Sequence, residues 1–405
     1  MSFDSMWAAL EPVGRHRQSG GYRRYAWTRE DATLREWFCG EAAQCGLDLV
    51  EDRAGNQWAW WGDPDAAAAA GRPGIVVGSH LDSVPDGGAF DGPLGVISAF
   101  AAVDVLRAQG FVPDRPVAVV NFVDEEGARF GVACAGSRLL TGALGPAHAL
   151  ALTDADGVSM AEALARAGRS TQHFGADPEA LARIGAFVEL HIEQGRALVD
   201  AGQPVAVASS IWPHGRWRLD IEGEANHAGT TRLVDRHDPM LVLADVVTTA
   251  RRAAHEHDCV ATIGKVTVAP NAVNAIASRV TAWLDARGPD APRVRAVVSE
   301  VAAAGSGVSE ESWTDATAFD ADLRERIVGA LGRVPILATG AGHDAGIVAQ
   351  AGVPTAMLFV RNPTGVSHSP QEHADEVDCA AGVDALIKVI AALAGPGSLW
   401  GVPRS

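Results

Sequence analysis

Four short apolar runs punctuate the chain: 74–78 (GIVVG), 116–123 (RPVAVVNF), 186–192 (AFVELHI) and 354–360 (PTAMLFV). Continuous apolar runs of this length suit strands buried on both faces of a sheet. Between them the spacing of apolar positions becomes helical, notably over 95–109 and 376–394. Residues 28–46 also read as a helix, with Thr28 as N-cap and Glu30 and Asp31 in the first turn. Strands alternating with helices predict an α/β layered domain. Residues 212–320 follow another pattern. The stretch 217–222 alternates with period two, 240–254 reads as a long helix, and 261–268 and 279–284 as further strands. That order predicts a smaller α+β domain with an open sheet, inserted into the first. The expected boundaries are 1–211 with 321–405 for the discontinuous first domain, and 212–320 for the insertion.

Metal-ligand residue types fall where these predicted strands end. His80 and Asp82 follow 74–78, inside GSHLDSVPDGGAFDG (78–92), and Asp91 lies further along the same glycine-rich loop. Asp124, Glu125 and Glu126 end the second run, His191 ends the third, and His368 follows the fourth through a short loop. In an open α/β sheet, sites form at the carboxyl ends of the strands. Adjacent glutamates at a buried strand exit are costly without a cation. Imidazoles and carboxylates converging there have the composition of a hydrolytic divalent-metal site, mono- or dinuclear.

Composition narrows the picture. A chain of 405 residues is too long for one ordinary core, in keeping with two domains. A net charge of -17 argues against nucleic acid, whose phosphates need a basic face. The five cysteines (Cys39, Cys45, Cys134, Cys259, Cys379) are scattered without zinc-knuckle spacing, as expected of reduced thiols in a cytoplasmic protein. No apolar run approaches a membrane span of about 20 residues, and the N-terminus lacks an apolar signal core.

Several longer stretches carry a resemblance: GSHLDSVPDGGAFDGPLGV (78–96), DEEGARFG (124–131), ELHIEQG (189–195), GEANHAGTT (223–231), Asn274 with Asp285-Ala286-Arg287, GAGHDA (340–345) and GVSHSPQEH (365–373). In order and over nearly the whole chain, they resemble the amidase/hydantoinase-carbamoylase family. That family includes N-carbamoyl-L-amino acid amidohydrolases, allantoate amidohydrolases and β-ureidopropionases, and belongs to the clan of co-catalytic zinc aminopeptidases. The resemblance implies a zinc-aminopeptidase-like catalytic domain with a mixed central sheet, and an inserted lid and dimerisation domain through which the chain forms a homodimer. It implies two divalent metal ions, zinc or manganese, with cobalt or nickel as further options. His80, Asp91 and His191 would hold one, and Asp91, Glu126 and His368 the other. Asp82 would support His80, and Glu125 would be the general base. Glu125 and Glu126 are expected to point to opposite sides of an extended segment. His227 would stabilise the oxyanion, from its own chain or its partner's. Asn274 and Arg287 would hold a substrate carboxylate, with Gln194 as a substrate-side hydrogen-bond partner.

The implied activity is hydrolysis of a linear amide or ureido C–N bond, on allantoate or an N-carbamoyl-L-amino acid. An aminoacylase or dipeptidase of the same clan is the alternative. Arg232 and Arg361 depart from the family pattern, and either would suit a substrate with a second acidic group, such as an N-formyl or N-formimino glutamate. The stretch 340–346 lacks the spacing of a dinucleotide loop. His343 and Asp344 within it read either as supports of the metal ligands or as buried structural polar residues. Ser137 lies in no nucleophile elbow.

Overall fold

The computed structural model describes residues 2–305 and 307–398. The chain forms two compact units. One comprises Met1–Ser209, Phe319–Leu337 and Gly342–Ser405, and the other Ser210–Ala318 with Ala338–Ala341.

The first unit is built on a mixed sheet. Seven of its nine strands are β1 (Asp48–Glu51), β2 (Gln57–Trp61), β3 (Gly74–His80), β4 (Val117–Phe122), β5 (Ile184–Ile192), β6 (Val205–Ile211) and β7 (Thr355–Val360), in the order β1-β2-β4-β3-β5-β7-β6. Neighbours among β4, β3, β5 and β7 pair in parallel, and β1, β2 and β6 pair antiparallel. The four parallel strands are the four apolar runs. Every residue of β3, β4 and β7 is buried, as expected of strands covered on both faces.

Helices cover the sheet where the periodicity predicts them: α1 (Arg29–Gln44), α2 (Pro93–Ala108) and, later, α5 (Glu376–Ala394). Between the last two lie the short helices α3 (Ala135–Thr141) and α4 (Asp344–Gln350). Thr28 Oγ1 accepts from the Asp31 N–H and caps α1. Helix α2 is apolar nearly all round and packs on β3 and α5. The strands at 48–51, 57–61 and 205–211 were not foreseen. In β2 (QWAWW) aromatic bulk replaces the aliphatic run, with Trp58 and Trp60 buried, and β6 (VAVASSI) trails into serines.

The second unit is an antiparallel sheet ordered Ser309–Thr314, His214–Glu222, Arg279–Arg287, Val260–Ala269. Helices Pro239–Glu256 and Ala291–Ala304 pack on each other, and their buried valines meet Leu219, Ile221 and Leu284 of the sheet. The edge strand Val260–Ala269 leaves Val260 and Val266 exposed. A short ribbon pairs Asn226–His227 with Ala275–Ile276.

Arg361, expected near a substrate's second acidic group, is engaged elsewhere. At the exit of β7 its Nε and Nη2 both donate to the Asp378 carboxylate at 2.8 Å. Asp378 lies in the first turn of α5 with its side chain only 1% exposed. The pair ties strand to helix, and removing the cation strands a buried carboxylate. Arg361→Ala is therefore expected to lower the melting temperature by roughly 3–6 °C. The ratio of kcat/KM for acidic over neutral substrates should stay within a factor of two; a scanning-calorimetry melt and paired kinetics check both.

Candidate metal centre

The parallel strands deliver their carboxyl ends to one edge, as the general rule for open α/β sheets requires. His80 is the last residue of β3, and His191 the penultimate residue of β5. Glu125 and Glu126 follow β4, His368 lies in the loop after β7, and Asp91 stands two residues before α2.

Asp91 lies at the middle. Its Oδ1 is 3.5 Å from His80 Nε2 and 3.1 Å from His191 Nε2. Its Oδ2 is 3.5 Å from His368 Nε2, which is itself 3.7 Å from Glu126 Oε2. The donors fall into two groups that share Asp91: His80–Asp91–His191 and Asp91–Glu126–His368. Ligands held tetrahedrally at about 2.0–2.1 Å stand roughly 3.3–3.4 Å apart, so these separations are those of a coordination shell. His80 Nε2, His191 Nε2 and Glu126 Oε1 are buried with no hydrogen-bond partner within the protein. Orphaned donors of this kind around a shared carboxylate fit divalent cations.

The imidazoles are oriented for that task. His191 Nδ1 faces the Ile192 carbonyl at 2.9 Å, and His80 Nδ1 faces the Asp82 carbonyl at 3.2 Å. A carbonyl only accepts, so each Nδ1 carries a proton and Nε2 is the nitrogen aimed at the centre, where a bound cation would take the place of its proton. Asp82 does more than back His80. Its Oδ1 lies 3.3 Å from His80 Nδ1 and accepts from the Glu125 N–H, while Oδ2 accepts from the Glu126 N–H. One carboxylate thus fixes the β3 histidine against the β4 exit.

That exit is not the extended segment expected. Strand β4 stops at Phe122, the chain bends over 123–126, and Asp124 takes φ 55°. The bend, pinned by Asp82, is what separates the two glutamates. Glu125 Oε2 lies 3.7 Å from His80 Nε2, on the side of the first group, and Glu126 reaches His368. Cys134 Sγ donates to Glu125 Oε1 at 3.5 Å. Burial pushes Glu125 well above the ordinary carboxylate range; His80 opposes this, and Glu126 and Asp344 reinforce it. Burial likewise raises Glu126, to about 8, with Asp91 next in importance.

Gly92 lets Asp91 approach. It takes φ 83° and ψ -61° at the start of α2, a conformation essentially reserved for glycine, and a Cβ there would lie 2.5 Å from His80 Cε1. Gln194, expected on the substrate side, donates from Nε2 to Asp91 Oδ2 at 2.8 Å, and its Oε1 is buried and unpartnered. Five further residues border the centre. His343 packs edge-on against His191, with ring centroids 4.5 Å apart, and burial with the neighbouring His191 holds it well below the ordinary histidine range. Glu189, inside β5, groups with His191 and His343 but is tied to Ser79 Oγ and the Ala345 N–H. An acid in the middle of an apolar strand run was its signal. Asp344 and Ser137 pair with each other at 2.5 Å, both buried. Glu372, passed over within GVSHSPQEH, accepts from the Asp91 N–H.

The second unit holds the other expected residues. His227 Nδ1 accepts from the Gly229 N–H at 3.0 Å, so its ring proton sits on Nε2, exposed and ready to donate. Asn274 is exposed on the partner strand's approach, its carbonyl accepting from the Ala228 N–H. Arg287 gives Nε and Nη2 to Asp285 and Nη1 to the Gly340 carbonyl, which leaves one N–H on each terminal nitrogen. Arg232, expected as a charge for substrate selection, is exposed and spends its fork on Asp235 three residues away.

The sequence profile of peptidase family M20/M25/M40 matches residues 76–392. The chain belongs to that family. An N-carbamoyl-L-amino acid amidohydrolase of Geobacillus stearothermophilus is 35% identical over 96% of this chain and 98% of its own. An allantoate amidohydrolase of Escherichia coli is 31% identical over 93% and 94%. The crystal structure of a hydantoinase/carbamoylase family amidase from Burkholderia ambifaria superposes with TM-score 0.82 and 31% identity, over 98% of each chain. Among the described residues, no helix is long and apolar enough to cross a membrane.

Gly92→Ala tests the shared-carboxylate geometry of this M20 centre. It is expected to weaken divalent-metal binding by on the order of tenfold or more while far-UV circular dichroism is unchanged, as for other changes that displace a ligand's support. Metal titration followed by calorimetry provides the check.

Proposed function

We propose that the protein is a metal-dependent amidohydrolase that cleaves a linear amide or ureido C–N bond in a small carboxylate-bearing substrate, an N-carbamoyl-L-amino acid or allantoate. The observation that carries this reading is the Asp91 carboxylate, one oxygen of which faces the orphaned His80 and His191 nitrogens and the other His368, with Glu125 beside them. The relatives named above support the substrate class.

In this reading His80, Asp91 and His191 hold one divalent ion and Asp91, Glu126 and His368 a second, either of them zinc or manganese. When bound, such ions polarise a carbonyl and acidify water. The remaining steps belong to the chain. Glu125, raised by burial, takes the proton of the attacking water as the C–O bond forms, and returns it to the leaving nitrogen as the C–N bond breaks. The Cys134 thiol steadies one oxygen of Glu125 and leaves the other free for the proton. His227, with its proton on Nε2, donates to the oxygen that gains charge. Arg287, pre-oriented by Asp285, and Asn274 hold the substrate carboxylate.

The alternative selection of a second acidic group finds no support in Arg232 or Arg361, both already committed to carboxylates. We further propose a homodimer formed through the second unit, whose edge strand and the helix Pro239–Glu256 expose Val260, Val266, Leu241 and Val247. The five unpaired cysteines support a reducing, cytoplasmic setting.

Chelation is expected to abolish turnover of N-carbamoyl-L-amino acids or allantoate, with zinc or manganese restoring it. Glu125→Gln should lower kcat by about 10²–10⁴ with metal content intact. A panel that adds dipeptides and N-acetyl amino acids decides the substrate class; faster cleavage of those would move the assignment to an aminoacylase or dipeptidase.

A further inference from the structure

Asp91 must hold a fixed orientation to serve two groups at once, yet it sits in an irregular loop, where no ladder of backbone bonds secures it. What secures it is a side chain far away in sequence. Glu372 is 5% exposed, and its Oε1 accepts from two consecutive backbone amides, Phe90 N–H and Asp91 N–H, both at 2.9 Å. The fit leaves no slack: a Cβ on Gly88 would lie 2.4 Å from that same oxygen. Phe90 is clamped in turn, its ring 4.6 Å from Trp7 and 5.8 Å from His373.

The other oxygen of Glu372 faces the same centre. Ser367 Oγ lies 3.3 Å from Glu372 Oε2 and 3.4 Å from Asp91 Oδ2, and also accepts from Gln194 Nε2 at 3.1 Å. Ser367 and Glu372 flank His368 on one loop. The carboxylate therefore links the loop that carries His368 to the backbone that carries Asp91.

We propose that Glu372 is the positioning residue of the centre: through the Phe90 and Asp91 amides it sets the Asp91 carboxylate so that one oxygen serves His80–His191 and the other Glu126–His368. It touches neither substrate nor reacting atoms. Its work is done as a double acceptor at Oε1, and a glutamine in its place keeps that acceptor. An alanine leaves two buried N–H groups unpaired and lets Asp91 turn away from one group.

The inference rests on the metal-site reading above, and one experiment separates the two. Wild type, Glu372→Gln and Glu372→Ala are stripped with chelator, compared by circular dichroism and melting, and titrated with zinc and manganese by calorimetry and mass spectrometry. Glu372→Ala is expected to retain the wild-type fold and to bind metal at least tenfold more weakly, or with fewer ions per chain. Glu372→Gln should restore binding to within about threefold of wild type. Equal metal binding by wild type and Glu372→Ala overturns the proposal, as does an equal loss in Glu372→Gln, which would assign the effect to charge. Should Glu372→Ala fail to fold, the glutamine variant alone decides. Absence of metal binding by wild type would instead overturn the metal-site reading.

Discussion

Burying negative charge is the constraint to which the catalytic unit is built. Asp82, Asp91, Asp124, Glu125, Glu189, Asp344 and Glu372 are all buried around the carboxyl ends of β3, β4 and β5, and the three buried imidazoles, of which His343 is held well below the ordinary range, cannot balance them. Burial raises Asp124, Glu125, Asp344 and Glu372, the last to about 7. Asp91 is the exception. Burial works against its charge too, but His191 and His80 prevail and hold it well below the ordinary range. One ionised carboxylate surrounded by acids that resist ionisation is an arrangement that a divalent cation completes, because the cation supplies the missing positive charge and takes up the orphaned donors. A hydrophobic replacement would pack as well; the cost of the acids is borne for chemistry.

The fold meets this constraint by dividing labour between strands and loops. Strands β3 and β5 place His80 and His191 rigidly, and each ring is locked through Nδ1 by a carbonyl. The bend after β4 and the loop before α2 bring in the carboxylates, and both need left-handed or glycine-only backbone, at Asp124 and Gly92. Such conformations persist only where the surroundings over-determine them. Asp82 and Glu372 do this at the two places, each accepting from two backbone amides. Ligands and their supports are thus the same residue type used in opposite ways, one aimed at the centre and the other at the chain.

This division also decides what could be read from the sequence. The four parallel strands are legible because a strand buried on both faces leaves an unbroken apolar run, and the polar residue that ends each run is conspicuous. His80, His191 and the 124–126 acids were found that way. Strands β1, β2 and β6 lack that signature: β2 is largely tryptophan, and β6 is broken by two serines before its last residue. Supports were harder still. Glu372 looks like any loop acid because its partners are backbone amides more than 280 positions away. Arg361 looked like a free charge near the site because Asp378 lies on a helix that sequence spacing alone does not bring to it.

The two halves of the centre are not equivalent, and the difference follows from these supports. His80, Asp91 and His191 are all buried, two of them on strands. In the other group His368 has a side chain 52% exposed, sits on a loop and takes φ 54°. Its position depends on the turn that also carries Ser367 and Glu372. A ligand held by a loop surrenders more conformational freedom on coordination than one held by a strand, so His368 is the costlier of these side chains to fix. Glu372 reduces that difference by fastening the same loop to the Asp91 backbone. The protein's tolerance for changes near the centre should therefore be lowest not at every acid, but at those where strand-held and loop-held ligands are joined.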